Sequence, residues 1–145
     1  SNTTSGDIAN LPTGLTYYQN RGSNTTTGDI ANLPTGLTVY LNQGSNTTTG
    51  DIANLPTGLT HYESSGNSLI TSTSVPTFNN TMNYFTQLST NPLSSSEVDN
   101  ILIGLANTLP GSGNVNIAGT NAPPTVASAA AVTALLGAGW TVTTN

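Results

Sequence analysis

The sequence predicts an α/β solenoid, a stack of short coils ending in a helical C-terminal segment. Three observations carry that expectation. A 22-residue unit is written three times in succession, over residues 1–22, 23–44 and 45–66. A fixed period of about 20–29 residues is the mark of stacked repeats. Each copy is also too poor in apolar residues to close a core alone. The second offers only Ile30, Ala31, Leu33, Leu37, Val39, Tyr40 and Leu41, so neighbouring coils must share one. Finally, residues 94–145 change to helical spacing.

The shared text is Ser-Asn-Thr-Thr-Thr-Gly-Asp-Ile-Ala-Asn-Leu-Pro-Thr-Gly-Leu-Thr, then one variable residue, then Tyr; Ser5 replaces the third Thr in the first copy. Leu33-Pro34-Thr35-Gly36-Leu37 reads as a bend, because proline fixes φ and removes a donor while glycine admits positive φ. Gly44 and Gly50 mark two more corners. Residues 38–43 are the only segment of the unit with strand character. Their phase turns Leu37, Tyr40 and Asn42 inward, with Thr48, Ile52 and Leu55 following around the coil. Val39, Leu41 and Gln43 then face outward. A buried asparagine needs partners, so Asn42 is expected in a ladder with Asn20 and Ser64.

Residues 67–93 keep the logic of the repeat and lose its text. Val75-Pro76 stands where Leu-Pro stood, Met82, Tyr84 and Phe85 read as the next strand, and Asn91-Pro92-Leu93 as its turn. Ser94-Ser95-Ser96-Glu97 is a capping-box pattern. With Val98, Ile101, Leu102 and Leu105 it predicts a helix over about 95–108. Residues 109–113 break that helix, and 114–118 form a short strand with Val115 and Ile117 inward. Asn121-Ala122-Pro123-Pro124 turns the chain into a second helix over 125–136, with Val126, Ala129, Val132 and Leu135 on one face. Gly137 and Gly139 end it, and residues 140–143 close as a last strand. The two helices and Trp140 are expected to cover the open edge of the final sheet.

The spacing Leu33-x-x-x-Leu37-x-x-Tyr40-x-Asn42-x-x-x-Asn46 resembles the leucine-rich repeat, with Tyr and Asn at two of the usual aliphatic positions. More narrowly, GDIANLPTGLT followed by GSNTTTGDIANLP is similar to short repeats in bacterial surface and bacteriophage virion proteins. The run beginning LSSSEVDNILIGLAN is similar to their closing segments. This resemblance implies a right-handed horseshoe with a parallel inner sheet, and display on a cell surface or a phage particle. It implies nothing about a ligand.

Composition narrows the function. Charged residues make up 5% of the chain and the net charge is −5, against roughly 25% charged in typical domains. Nucleic acids and anionic membranes both require a basic footprint. No run is apolar enough to predict membrane insertion. A surface rich in Thr, Asn, Ser and Gly suits an extracellular setting. The absence of cysteine excludes disulfides and thiolate metal sites. The chain opens in repeat phase without a polar cap, so it reads as the C-terminal part of a longer protein, or as one whose first coil a neighbour covers.

The three copies serve as controls for one another. They differ, apart from Ser5, only around the strand, and there the outward positions change every time: Tyr17, Gln19, Arg21; Val39, Leu41, Gln43; His61, Glu63, Ser65. The functional expectation is that these nine form a binding face for a protein or glycan, with the lone Arg and His upon it. Drift after duplication is the competing account, and it must explain why the exposed threonines did not change. A structural role, in a virion or filament and docking through the first coil, is the alternative from another class. Asp7, Asp29 and Asp51 would stack as a column able to hold a cation, although such residues more often bond their own turn. Thr25 with Thr47, Thr27 with Thr49 and Thr35 with Thr57 would form arrays of the kind that bind ice. Asn2, Asn24, Asn46 and Asn79 begin glycan sequons, relevant only in a eukaryotic host. No enzyme and no cofactor are expected, because an open sheet offers His61 and Glu63 neither a nucleophile nor a dry pocket.

Overall fold

A computed structural model describes residues 5–66, 68–90, 92–108 and 111–145. The first residues of the repeat with its Asn2 sequon, Asn67, Asn91 of the expected turn, and residues 109 and 110 of the expected break lie outside them. Each repeat yields two strands. The first unit contributes β1 (Gly6–Asp7) and β2 (Tyr17–Asn20), the second β3 (Thr26–Asp29) and β4 (Val39–Asn42), the third β5 (Asn46–Asp51) and β6 (His61–Gly66). The degenerate segment adds β7 (Leu69–Thr71) and β8 (Tyr84–Ser89), and the C-terminal segment adds β9 (Asn114–Asn116) and β10 (Thr141–Thr143). One four-stranded sheet runs β1-β3-β5-β7, and one six-stranded sheet runs β10-β9-β8-β6-β4-β2. Every pairing is parallel.

This corrects the expected fold class. The structure has two parallel sheets with two helices, in place of a leucine-rich-repeat solenoid with a single inner sheet. The cause lies in the Thr-Thr-Thr-Gly-Asp segment, expected as a turn. β-Branched threonine suits a pleated surface, and the segment alternates: Asn46 and Thr48 are buried while Thr47 is exposed. The positive φ expected at Gly36 occurs instead inside this segment, at Gly28 (107°) and Gly50 (122°). The strands of a unit are joined by one turn of 3-10 helix, over Ile8–Asn10, Ile30–Asn32 and Ile52–Asn54. The Leu37 amide then bonds the Pro34 carbonyl at 3.0 Å and makes the expected bend.

The two sheets use different registers. In the six-stranded sheet Tyr17 pairs with Val39 and Val39 with His61, one full period apart. In the four-stranded sheet Gly6 pairs with Thr26 and Thr27 with Thr47, two residues short of a period. Equivalent residues there are staggered by about 6.6 Å per strand.

A shared core lies between the sheets. Tyr18, Tyr40, Tyr62 and Phe85 stack with centroids 5.4, 5.6 and 5.0 Å apart. Ile8, Ile30, Ile52 and Ile70 fill the other side. The Tyr18 hydroxyl reaches Thr26 Oγ1 across the gap at 2.8 Å.

Helices α1 (Ser95–Thr108) and α2 (Ala129–Gly137) are the crossovers that parallel neighbours require. They join β8 to β9 and β9 to β10. Helix α1 has the expected bounds and capping box: the Ser94 amide donates to Glu97 Oε2 at 2.9 Å and the Glu97 amide to Ser94 Oγ at 3.4 Å. Val98, Ile101, Leu102 and Leu105 join the common core. Helix α2 starts later than expected, after a 3-10 turn over Val126–Ser128. Its buried face is therefore Ala131 and Leu135, while Ala129 is exposed and Val126 is 93% exposed. Buried Asp99 of α1 sets this start by accepting the Thr125 amide at 2.9 Å and the Ser128 hydroxyl at 2.5 Å. Among the described residues β10 pairs only with β9, so it forms the sheet edge that the helices were expected to cover.

Candidate functional site

The nine variable residues meet on the outward face of the six-stranded sheet. Tyr17, Val39 and His61 occupy one row across β2, β4 and β6, and Gln19, Leu41 and Glu63 the next. Arg21 and Gln43 follow the ends of β2 and β4, and Ser65 continues β6. Tyr17, Gln19, Arg21 and Gln43 are exposed; Val39, Leu41, His61, Glu63 and Ser65 are half-buried. The alternation explains this, since Tyr40, Asn42, Tyr62 and Ser64 point into the core.

Strand β8 extends the face beyond the residues expected. Tyr84 lies beside His61, Thr86 beside Glu63 and Leu88 beside Ser65. The His61 and Tyr84 rings stack at 5.9 Å. A signal for this existed in the sequence. Phe85-Thr86-Gln87 repeats the aromatic-x-amide phase of Tyr40-Leu41-Asn42, displaced by a single residue. Asn114 and Asn116 of β9 continue the two rows.

The polar groups of the face are held in pairs. Gln43 Nε2 donates to Glu63 Oε1 at 2.8 Å. Arg21 donates to the Gln19 carbonyl oxygen through Nη2 at 2.9 Å and Nε at 3.0 Å, with the amide in its bonded orientation. Thr60 Oγ1 lies 2.9 Å from His61 Nδ1. The result is an open surface with an aromatic row beside an amide and carboxylate row.

Behind the face, Asn20 Nδ2 donates to Asn42 Oδ1 at 3.0 Å, and Asn42 Nδ2 to the Tyr40 hydroxyl at 2.9 Å. The ladder stops there, because Ser64 bonds Ser68 instead, at 3.3 Å. Burial pushes the Tyr40 and Tyr62 hydroxyls well above the usual phenol range, so both act as neutral hydrogen-bonding groups.

The staggered register of the four-stranded sheet removes the aspartate column and two of the threonine pairs. Asp7 stands opposite Thr27, Asp29 opposite Thr49 and Asp51 opposite Thr71, so the carboxylates form no lateral column. Each caps its own 3-10 turn, accepting the Ala9, Ala31 and Ala53 amides at 2.8, 2.9 and 2.9 Å. Among the described residues no group of three ligating side chains is poised for a metal. Thr47 pairs with Thr27 and Thr49 with Asp29, so neither Thr25 and Thr47 nor Thr27 and Thr49 are lateral neighbours. Asn46 is buried and donates to the Ser65 carbonyl, which removes it as a glycan acceptor. No helix of the described residues is long and apolar enough to cross a membrane. No protein-family model, no curated protein and no solved structure matches this chain.

Proposed function

We propose that the chain is a non-enzymatic binding or adhesion module, displayed on an exterior surface, that contacts a protein or glycan with the outward face of its six-stranded sheet. One observation carries the reading: six of the nine residues that vary between the units are brought into two register-matched rows, while their inward neighbours stay nearly constant. Tyr17, His61 and Tyr84 supply flat aromatic area with few rotors to immobilise. Gln19, Glu63 and Asn116 supply amide and carboxylate groups that orient a polar partner. The test is a printed glycan array probed with the labelled chain, beside a Tyr17→Ala/His61→Ala variant of matched thermal midpoint. The variant should lose at least about tenfold in affinity, near 1.4 kcal/mol. Binding unchanged in the variant, or none to any glycan or candidate surface protein, would refute the assignment.

The alternative, a structural component docking through its first unit, is favoured by a separate observation: Leu11, Leu15 and Tyr18 are half-exposed at the N-terminal end.

A further inference from the structure

The first unit differs from its copies in what meets its outer end. Leu33, Leu37 and Tyr40 are buried, as are Leu55, Leu59 and Tyr62, yet the equivalent Leu11, Leu15 and Tyr18 are only half-buried. Gly6, Asp7, Ile8, Leu11, Tyr18 and Asn20 line a cleft of about 220 Å³ there. Two atomic details show what shape it fits.

The first is Asn20, 4% exposed. Its Nδ2 donates to Asn42 Oδ1, to Thr26 Oγ1 and to the Asn24 carbonyl, at 3.0, 2.7 and 3.1 Å. Its own Oδ1 is buried and, among the described residues, accepts no hydrogen bond. At Asn42 the same atom is filled by the asparagine one unit earlier. Buried acceptors are rarely left empty, and the donor that Asn20 supplies to Asn42 has no counterpart at Asn20 among the described residues.

The second is Gly6. A Cβ on Gly28 would overlap Asp7 Oδ1 and lie 2.9 Å from Ile8 Cγ1, and one on Gly50 would meet Asp29 and Ile30 in the same way. The preceding unit, together with the positive φ at Gly28 and Gly50, accounts for glycine at those two positions. Gly6 holds the equivalent position, yet among the described residues nothing lies within 4 Å of its Cβ direction. Its side chain is absent where only a preceding Asp-Ile pair would require it.

We propose that this end is a docking surface for one further unit of the same repeat. Its strands pair with β1 and β2, its Asp-Ile pair covers Gly6, and its asparagine donates to Asn20 Oδ1. The interface is the one already made twice inside the chain, and it is independent of what the outward face binds.

The test compares the full chain with a chain carrying a second copy of residues 23–44 ahead of Ser1, each with and without Gly6→Ala. Thermal midpoints are read by circular dichroism and size by sedimentation velocity. The added unit should raise the midpoint by roughly 5 °C or more. Gly6→Ala should move the original chain by less than about 2 °C and lower the extended chain by about 5 °C or more, because only there does the new methyl meet a neighbour. Replacing the added unit's ladder asparagine by leucine should give back part of the rise. An equal response to Gly6→Ala in both chains overturns the proposal. So does self-association of the original chain that extension abolishes without raising the midpoint, which would assign the end to a second copy.

Discussion

Replacing Gly50 by alanine should cost about 3 kcal/mol, through two effects of similar size. Gly50 sits inside β5 at φ 122°, where a side chain costs of order 1–3 kcal/mol. Its new methyl would also overlap Asp29 Oδ1 and lie 2.8 Å from Ile30 Cγ1. Ile30 is wholly buried and has nowhere to move. Asp29 Oδ1 is the atom that accepts the Ala31 amide at 2.9 Å, so displacing it loses a helix cap worth about 1 kcal/mol. In a chain of this size the midpoint should fall by roughly 10 °C. Urea unfolding followed by circular dichroism measures the free energy directly. Gly36→Ala is the control, because Gly36 has no positive φ and open space around it. That change should be neutral, or slightly stabilising through the unfolded chain. Asp29→Ser, which keeps a capping oxygen on a shorter side chain, should recover part of the loss in the Gly50→Ala background. A Gly50→Ala chain within about 0.5 kcal/mol of wild type, or one no worse than Gly36→Ala, would refute the close approach and the staggered register behind it.

Other outcomes follow from the polar contacts. Asn42→Leu should cost about 1–2 kcal/mol, since Tyr40 and Asn20 each lose one bond while Asn20 keeps two others; an unchanged urea midpoint would contradict the ladder. Asp99→Ala should cost about 2–4 kcal/mol, because it strands buried Ser128 and the Thr125 amide, and the loss is read from the same urea curves. Stability should fall in acid. Burial pushes the carboxyls of Asp99, Glu97 and Asp51 up, but hydrogen bonds outweigh it and hold all three below the usual range: from Ser128 and Thr125 to Asp99, from Ser94 and Ser72 to Glu97, and from Thr73, Ala53 and Thr71 to Asp51. Groups with depressed folded values stabilise fully above the unfolded range of about pH 4, and that stabilisation is lost as pH falls through the lower folded values. Urea midpoints at neutral and strongly acid pH should therefore differ, and the difference should shrink in Asp99→Asn; midpoints independent of pH would refute the assignment.

The unit, its period and the phase of the second strand in each copy can be read from the residues alone. Leu37, Tyr40 and Asn42 are buried, and Val39, Leu41 and Gln43 turn outward, because alternation along a strand is a local property with period two. The nine variable residues were legible for the same reason, and α1 because its capping box and apolar spacing are also local. The four-stranded sheet was not legible. Its Thr-Thr-Thr-Gly-Asp strand carries no apolar alternation, and its inward side chains find partners that only the packed sheets supply, as when Asn20 Nδ2 donates to Thr26 Oγ1 at 2.7 Å and the Tyr18 hydroxyl lies 2.8 Å from the same oxygen. The start of α2 was hidden because the carboxylate that sets it, Asp99, lies 26 residues from Thr125. Register was decided by tertiary structure alone. Identical repeats suggest identical neighbours, but a shift of two residues keeps every side chain on its own face. Alternation therefore cannot distinguish a staggered sheet from an aligned one. The contacts of Asp7 and Ile8 over Gly28, and of Asp29 and Ile30 over Gly50, go with the staggered one.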